Sequence, residues 1–111
     1  ADEEKLIWVL NNFLTNAIKH SYENSEVQIL VKQEEGRLVF AVKDNGKGIE
    51  EKYLPRVFER YFKVPGTSEK SGTGLGLAIS KEFIEAHGGS VAVESLFGSG
   101  STFSFSLPVA A

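Results

Sequence analysis

The stretch SGTGLGLAISKEFIEAHGG, residues 71–89, sets three glycines within five positions directly ahead of a helical pattern. Leu75, Ile79, Phe83 and Ala86 recur at helical spacing and Gly88 stands where a C′ residue belongs, so a helix is expected over 75–87. Glycines in that place mean that a backbone comes close to something, most often a phosphate. Two well-known phosphate loops fail the comparison. A P-loop needs a lysine and a hydroxyl after its last glycine, and here Gly76 is followed by Leu77 and Ala78. The dinucleotide fingerprint GxGxxG needs a third glycine where Leu77 stands and a strand before it, whereas KVPGTSEKS (63–71) is a polar loop. Only its acid about twenty residues further on finds a match, in Glu94. What survives both rejections is a helix N-terminus, whose free N–H groups and positive dipole end suit an anion. A glycine-rich turn that holds nothing is the competing reading of this stretch alone.

Upstream, EEKLIWVLNNFLTNAIKH (3–20) reads as a helix, with acids in its first turn and Lys19 and His20 in its last. SYENSE is a turn. VQILVKQ and RLVFAVKD alternate on either side of EEGR as a β-hairpin. NGKGI breaks the alternation, a short helix fits 50–60, and a loop covers 63–73. SVAVESL and STFSFSLPV, joined by FGSG, form a second hairpin. No repeat, low-complexity run or linker interrupts them. The expected fold class is α+β: a two-layer sandwich with helices on one face of a mixed, mainly antiparallel sheet.

The first helix has two faces. At about 100° per residue, Leu6, Leu10, Phe13, Leu14, Ala17 and Ile18 form one apolar arc that should pack on the sheet. Asn12, Asn16 and Lys19 fall within roughly 60° of each other on the other side. Asparagine is a mediocre helix former, and Glu or Lys would serve solubility better. The functional reading gives an amide oxygen to a hard cation and Lys19 to a phosphate; the plain one is a solvated face. Trp8 is read as packing, and His87 as a helix-end imidazole favoured by the dipole.

Bulk properties narrow the class. The 111 residues make one domain with a single modest core. A net charge of −3 and a pI near 5.4 leave no electrostatic footprint for nucleic acid. The absence of cysteine excludes disulfides and thiolate metal sites. No apolar run approaches the roughly 20 residues of a membrane span, and no signal peptide is visible.

Four stretches in order resemble one family. NNFLTNAIKH resembles the N box of the sensor histidine kinase ATP-binding domain, DNGKGI its first glycine box, VFERYFKV its F box, and GTGLGLAISKEFIEAHGG its second glycine box. The closing SLFGSGSTFSFSLP is similar to the family's last two strands. The resemblance implies the Bergerat ATP-binding fold over residues 1–111, with a lid at about 50–72. Members have one or two short strands before the aspartate matching Asp2; without them the sheet is shorter and an edge is open. By resemblance Asn16 ligates Mg2+, with Asn12 beside it, Lys19 touches a phosphate and His20 packs near the nucleoside. Asp44 accepts the adenine amino hydrogen, as an acceptor-only carboxylate suits adenine better than guanine. Gly46 and Gly48 give clearance and Ile49 an apolar contact. Gly72, Gly74 and Gly76, with Thr73, Leu75 and Leu77, wrap the phosphates of ATP. Several assignments keep their alternatives: Asp44 as a turn cap, Phe58 and Phe62 as core anchors for the lid base or ligand contacts, and Lys63 as a phosphate contact or a solvated side chain. Thr102 either joins the adenine pocket or is an exposed strand threonine.

Position 12 separates the family's branches. Hydrolysing relatives place a glutamate there as general base, and Asn12 takes no proton near neutral pH. A site that holds ATP and Mg2+ without activating water preserves the γ-phosphate for another acceptor. Neither His20 nor His87 has the flanks of the family's phosphoacceptor. The resemblance therefore implies a catalytic domain of a protein histidine kinase, acting on a dimerisation and histidine phosphotransfer domain of the same parent chain and passing phosphate to a response regulator. It also implies a cytoplasmic domain without direct membrane contact, in a parent that can be membrane-anchored. The alternatives are a serine-directed kinase or weak ATPase of the same superfamily, and a non-catalytic interaction module.

Overall fold

The structure, a computed structural model, describes residues 3–22, 25–62 and 75–108. In chain order it comprises α1 (Glu3–His20), β1 (Gln28–Glu34), β2 (Arg37–Asp44), a 3₁₀ helix (Glu51–Arg56), α2 (Gly76–Ala86), β3 (Ser90–Leu96) and β4 (Gly100–Pro108). The strands form one sheet in the order β1-β2-β4-β3. All pairs among the described residues are antiparallel, where the sequence left room for a mixed sheet. Both helices lie on one face, so the molecule is the two-layer α+β sandwich its patterning called for. Each hairpin is tight. Glu34 pairs with Arg37 across a two-residue turn, and Leu96 pairs with Gly100.

The core is built around aromatic rings. Phe13 of α1 packs edge-on against Phe103 and Phe105 of β4 and touches Phe58, while Phe40 stacks on Phe105 at 4.9 Å. Fully burying each such ring is worth about 1.5–3 kcal/mol. Phe58 therefore serves as a core anchor, contacting Phe13 and Phe103.

The buried stripe of α1 is Val9, Phe13 and Ala17, with Leu6, Leu10 and Leu14 half-buried beside it. This corrects the expected arc. Val9 is fully buried, and Ile18, assigned inward, is 65% exposed. Apolar content alone centred the arc on the leucines, but the sheet lies under the Val9–Phe13–Ala17 line. That rotation turns Asn16 from the far side of the helix to the margin of the core. Trp8 is likewise 43% exposed, lining with Ile79 and Phe83 a groove between the two helices instead of entering the core.

The expected helix at 50–60 is a six-residue 3₁₀ helix, Glu51–Arg56. Pro55 lies inside it and disfavours α geometry at Leu54. At the sheet's far edge every residue of β1 is exposed, including Ile29, Leu30 and Val31. No described helix is long and apolar enough to cross a membrane.

Candidate functional site

Strand β2 delivers Asp44. Side chains alternate along it, so Val42 and Asp44 both point under the helices and both are fully buried. Asp44 Oδ1 accepts the backbone N–H of Gly46 at 2.9 Å and that of Ser101 at 3.3 Å. The first bond is the turn cap that Asp-Asn-Gly chemistry favours. Oδ2 is different: it is buried and has no hydrogen-bond partner among the described residues. A cap uses one oxygen, and the second is left over. The following loop is pressed against the second hairpin. Gly48 sits at φ +75°, and a Cβ there would run into the Leu96 carbonyl oxygen. Its clearance serves the protein's own backbone, and only glycine fits both demands.

The first turn of α2 meets the polar side of α1. A Cβ on Gly76 would collide with Asn12 Oδ1, so glycine lets the two helices close at this point. The Asn12 amide is oriented by donating from Nδ2 to the Trp8 carbonyl at 2.8 Å. One turn on, Asn16 Nδ2 is buried without a partner among the described residues. The N-cap position of α2, Leu75, gives no side-chain cap, and no acid lies in the first turn. The positive end of the helix dipole therefore faces the Asn12 amide without a side-chain acceptor of its own among the described residues. The other end is closed by Gly88 and Gly89, whose N–H groups return to the carbonyls of Glu85 and Ile84. His87 is tied back to the Phe83 carbonyl and ring, a helix-end role.

The remaining expected site residues fall into separate groups. Lys19 lies on the exposed side of α1. Ile49 is a core residue at 3% exposure, and Leu77 packs against the core. Leu75 is half-buried. Phe62 packs on Tyr53, with the Arg56 guanidinium 4.5 Å over its ring. Lys63, Gly72, Thr73 and Gly74, and the side chain of His20, lie outside the described residues, as does the expected lid beyond Phe62. Among the described residues no group of three or more His, Asp or Glu side chains could hold a metal by itself.

Two serines were missed. Thr102 was weighed as the neighbour of Asp44, but the register places Asp44 opposite Ser101 and pairs Thr102 with Lys43 and Glu94. Thr102 lines the same cleft of about 310 Å³, yet Ser101 makes the bond to the carboxylate. Ser95 is the second: its hydroxyl accepts from the Ile49 N–H at 2.7 Å and lies 2.9 Å from Ser101 Oγ. Alternation could have found both. Phe103, Phe105 and Leu107 are the inward residues of β4, which puts Ser101 inward too; Val91 and Val93 do the same for Ser95.

The histidine kinase-, DNA gyrase B- and HSP90-like ATPase family profile matches residues 1–111. The sensor histidine kinase WalK of Bacillus subtilis (strain 168) is 44% identical over 111 residues, covering 96% of this chain and 18% of WalK. The phytochrome-like protein Cph1 of Synechocystis sp. is 41% identical over 110 residues, covering 98% of this chain and 15% of Cph1. Among solved structures, the mycobacterial sensor histidine kinase MprB superposes with a TM-score of 0.89 at 30% identity, over 97% of this chain and 74% of that one. Full-length ShkA, crystallised in complex with AMPPNP, gives 0.85 at 35% identity, over all of this chain and 23% of that one. The chain thus spans less than a fifth of the length of these curated relatives. It belongs to the histidine kinase-, DNA gyrase B- and HSP90-like ATPase family, as an ATP-binding catalytic domain of the sensor histidine kinase type.

Proposed function

We propose that this domain binds ATP with Mg2+ and presents the γ-phosphate to a histidine on a dimerisation and phosphoacceptor domain of the same parent chain, from which a response regulator takes it. The observation that carries the reading is Asp44 Oδ2, a fully buried carboxylate oxygen without a donor. Leaving such a group unmet costs about 1–3 kcal/mol. Adenine's exocyclic amino group would supply the donor; guanine would bring a carbonyl oxygen against it. Ser101 joins Asp44 at the base.

The residues also fit the rest of the ligand. Asn16 stands at the core margin with a buried amide nitrogen that finds no acceptor among the described residues, a donor suited to a phosphate oxygen, and its amide oxygen is the kind of ligand hard cations accept. With no carboxylate cluster among the described residues, phosphate oxygens would complete the shell. Mg2+ so held would screen phosphate charge and polarise the γ-phosphoryl group. The first-turn N–H groups of α2, aligned by the Gly76–Asn12 contact, suit the phosphates, with Gly72, Gly74 and Lys19 as further contacts and residues 50–72 as a lid. Asn12 offers no base, so the site holds and orients the transferring group without activating water. The likeness to ShkA, which binds AMPPNP, supports the same assignment. The domain would work in the cytoplasm with no membrane contact of its own.

Calorimetric titration with AMPPNP and with the guanine analogue, each with and without Mg2+, tests this. Saturable, Mg2+-strengthened, adenine-selective binding is expected; no binding of either analogue overturns the reading. Transfer to a supplied dimerising histidine domain should then give an acid-labile product. An acid-stable phosphoserine product would point to the serine kinase branch instead.

A further inference from the structure

We infer that Ser95 is a positioning residue for base recognition, acting through Ser101 and the loop that follows Asp44. The inference rests on the nucleotide reading above. Ser95 sits on β3, two strands away from Asp44, and makes three contacts with one hydroxyl. It accepts the Ile49 N–H at 2.7 Å, donates to the Gly100 carbonyl at 3.0 Å, and lies 2.9 Å from Ser101 Oγ.

A hydroxyl has one proton and two lone pairs. With its proton on the Gly100 carbonyl and one lone pair on the Ile49 N–H, Ser95 Oγ meets Ser101 as an acceptor. The Ser101 proton is then committed to Ser95, and Ser101 turns only lone pairs elsewhere. The same residue's backbone N–H is committed to Asp44 Oδ1. Ser101 therefore sits beside the carboxylate with both of its protons already used. The consequence is an acceptor-only surface, built from Asp44 Oδ2 and Ser101 Oγ, which welcomes an amino group and rejects a carbonyl.

The Ile49 bond has a second effect. It ties the loop after Asp44 to β3 across 46 positions of sequence, next to the contact between the Gly98 N–H and the Lys47 carbonyl. The loop that carries the carboxylate cap is held by a side chain outside the N box and the glycine boxes.

Ser95→Ala frees the Ser101 proton and the Ile49 N–H together. Titration of wild type, Ser95→Ala and Ser95→Thr with AMPPNP and the guanine analogue reads both effects, with thermal melts of each. The expectation is a loss of about fivefold to tenfold in AMPPNP affinity for Ser95→Ala, the worth of a displaced hydrogen bond or slightly more. The ratio of adenine to guanine affinity should fall with it, and Ser95→Thr, which keeps the hydroxyl, should recover both. Unchanged affinity and ratio in Ser95→Ala overturn the inference. So does an equal loss in Ser95→Ala and Ser95→Thr that tracks a lowered melting temperature, since that is packing alone. Failure of wild type to bind AMPPNP overturns the nucleotide reading itself, and is distinguished by appearing before any substitution is made.

Discussion

At the scale of single residues the site is legible as unspent hydrogen-bonding capacity. Asp44 is the sharpest case because its two oxygens do different things. Oδ1 holds the Gly46 and Ser101 N–H groups, and Oδ2 holds nothing among the described residues. Asp44→Asn separates these roles. The amide oxygen can keep both backbone donors, so the melting temperature should move by only a few degrees. The amide nitrogen then takes the place of Oδ2 and turns a donor toward a donor. Loss of a charge-assisted bond is worth about 1.5–3 kcal/mol, or roughly 10- to 150-fold in affinity. Calorimetry on a folded Asp44→Asn chain checks this, and undiminished AMPPNP binding would remove Asp44 from the base site. Thr102→Val gives the contrast. It should weaken AMPPNP binding far less than Ser101→Ala, because the register aims Thr102 at Lys43 and Glu94.

At the scale of elements, the ends of α2 do the work. Its C-terminus closes on Gly88 at φ +80°, where an added Cβ meets the Pro108 ring at 3.5 Å (Cγ) and 4.0 Å (Cδ), ordinary contacts. Gly88→Ala therefore costs backbone strain alone, about 1 kcal/mol, and should lower the melting temperature by roughly 4–8 °C. Nucleotide affinity should not change, since the helix's other end faces the site. The N-terminus behaves in the opposite way. Gly→Ala within a helix ordinarily stabilises by about 0.5–1 kcal/mol. At Gly76 the new methyl would enter Asn12 Oδ1, which the Trp8 carbonyl holds in place. Gly76→Ala should thus lower both stability and AMPPNP affinity. Adding Asn12→Ala should restore the lost stability, and a double-mutant cycle by thermal denaturation reads the coupling. Additive effects would mean that the two helices do not meet there.

At the scale of the whole molecule, the readable features of the sequence were local and the unreadable ones crossed the sheet. The bounds of α1 follow from end charges and a 3.6-residue period, and each hairpin follows from a short glycine turn between alternating runs. The position of α1 on the sheet does not: a single helix cannot tell that Val9 outranks Ile18, because the surface beneath is made by β2 and β4. Likewise nothing near residue 95 signals a bond to residue 49. Phe13 shows what such long-range assembly implies. It joins α1 to β4 and to Phe58, and it lies on the helix between Asn12 and Asn16. Core and candidate site therefore share one rigid element, and stability and binding should be linked through it. Phe13→Ala leaves a cavity costing about 3–5 kcal/mol, at least about a fifth of the roughly 5–15 kcal/mol that holds a domain of this size. A ligand at one hundred times its Kd returns about 2.7 kcal/mol to whichever chain still binds it. The wild-type melt should rise by several degrees with AMPPNP and Mg2+. Phe13→Ala should melt far lower without nucleotide and recover only part of that loss with it, because its Asn12–Gly76 contact is loosened along with the core. Circular dichroism melts of both chains, with and without nucleotide, decide the matter. If nucleotide raised both melting temperatures equally at equal saturation and concentration, the core would support the site without shaping it.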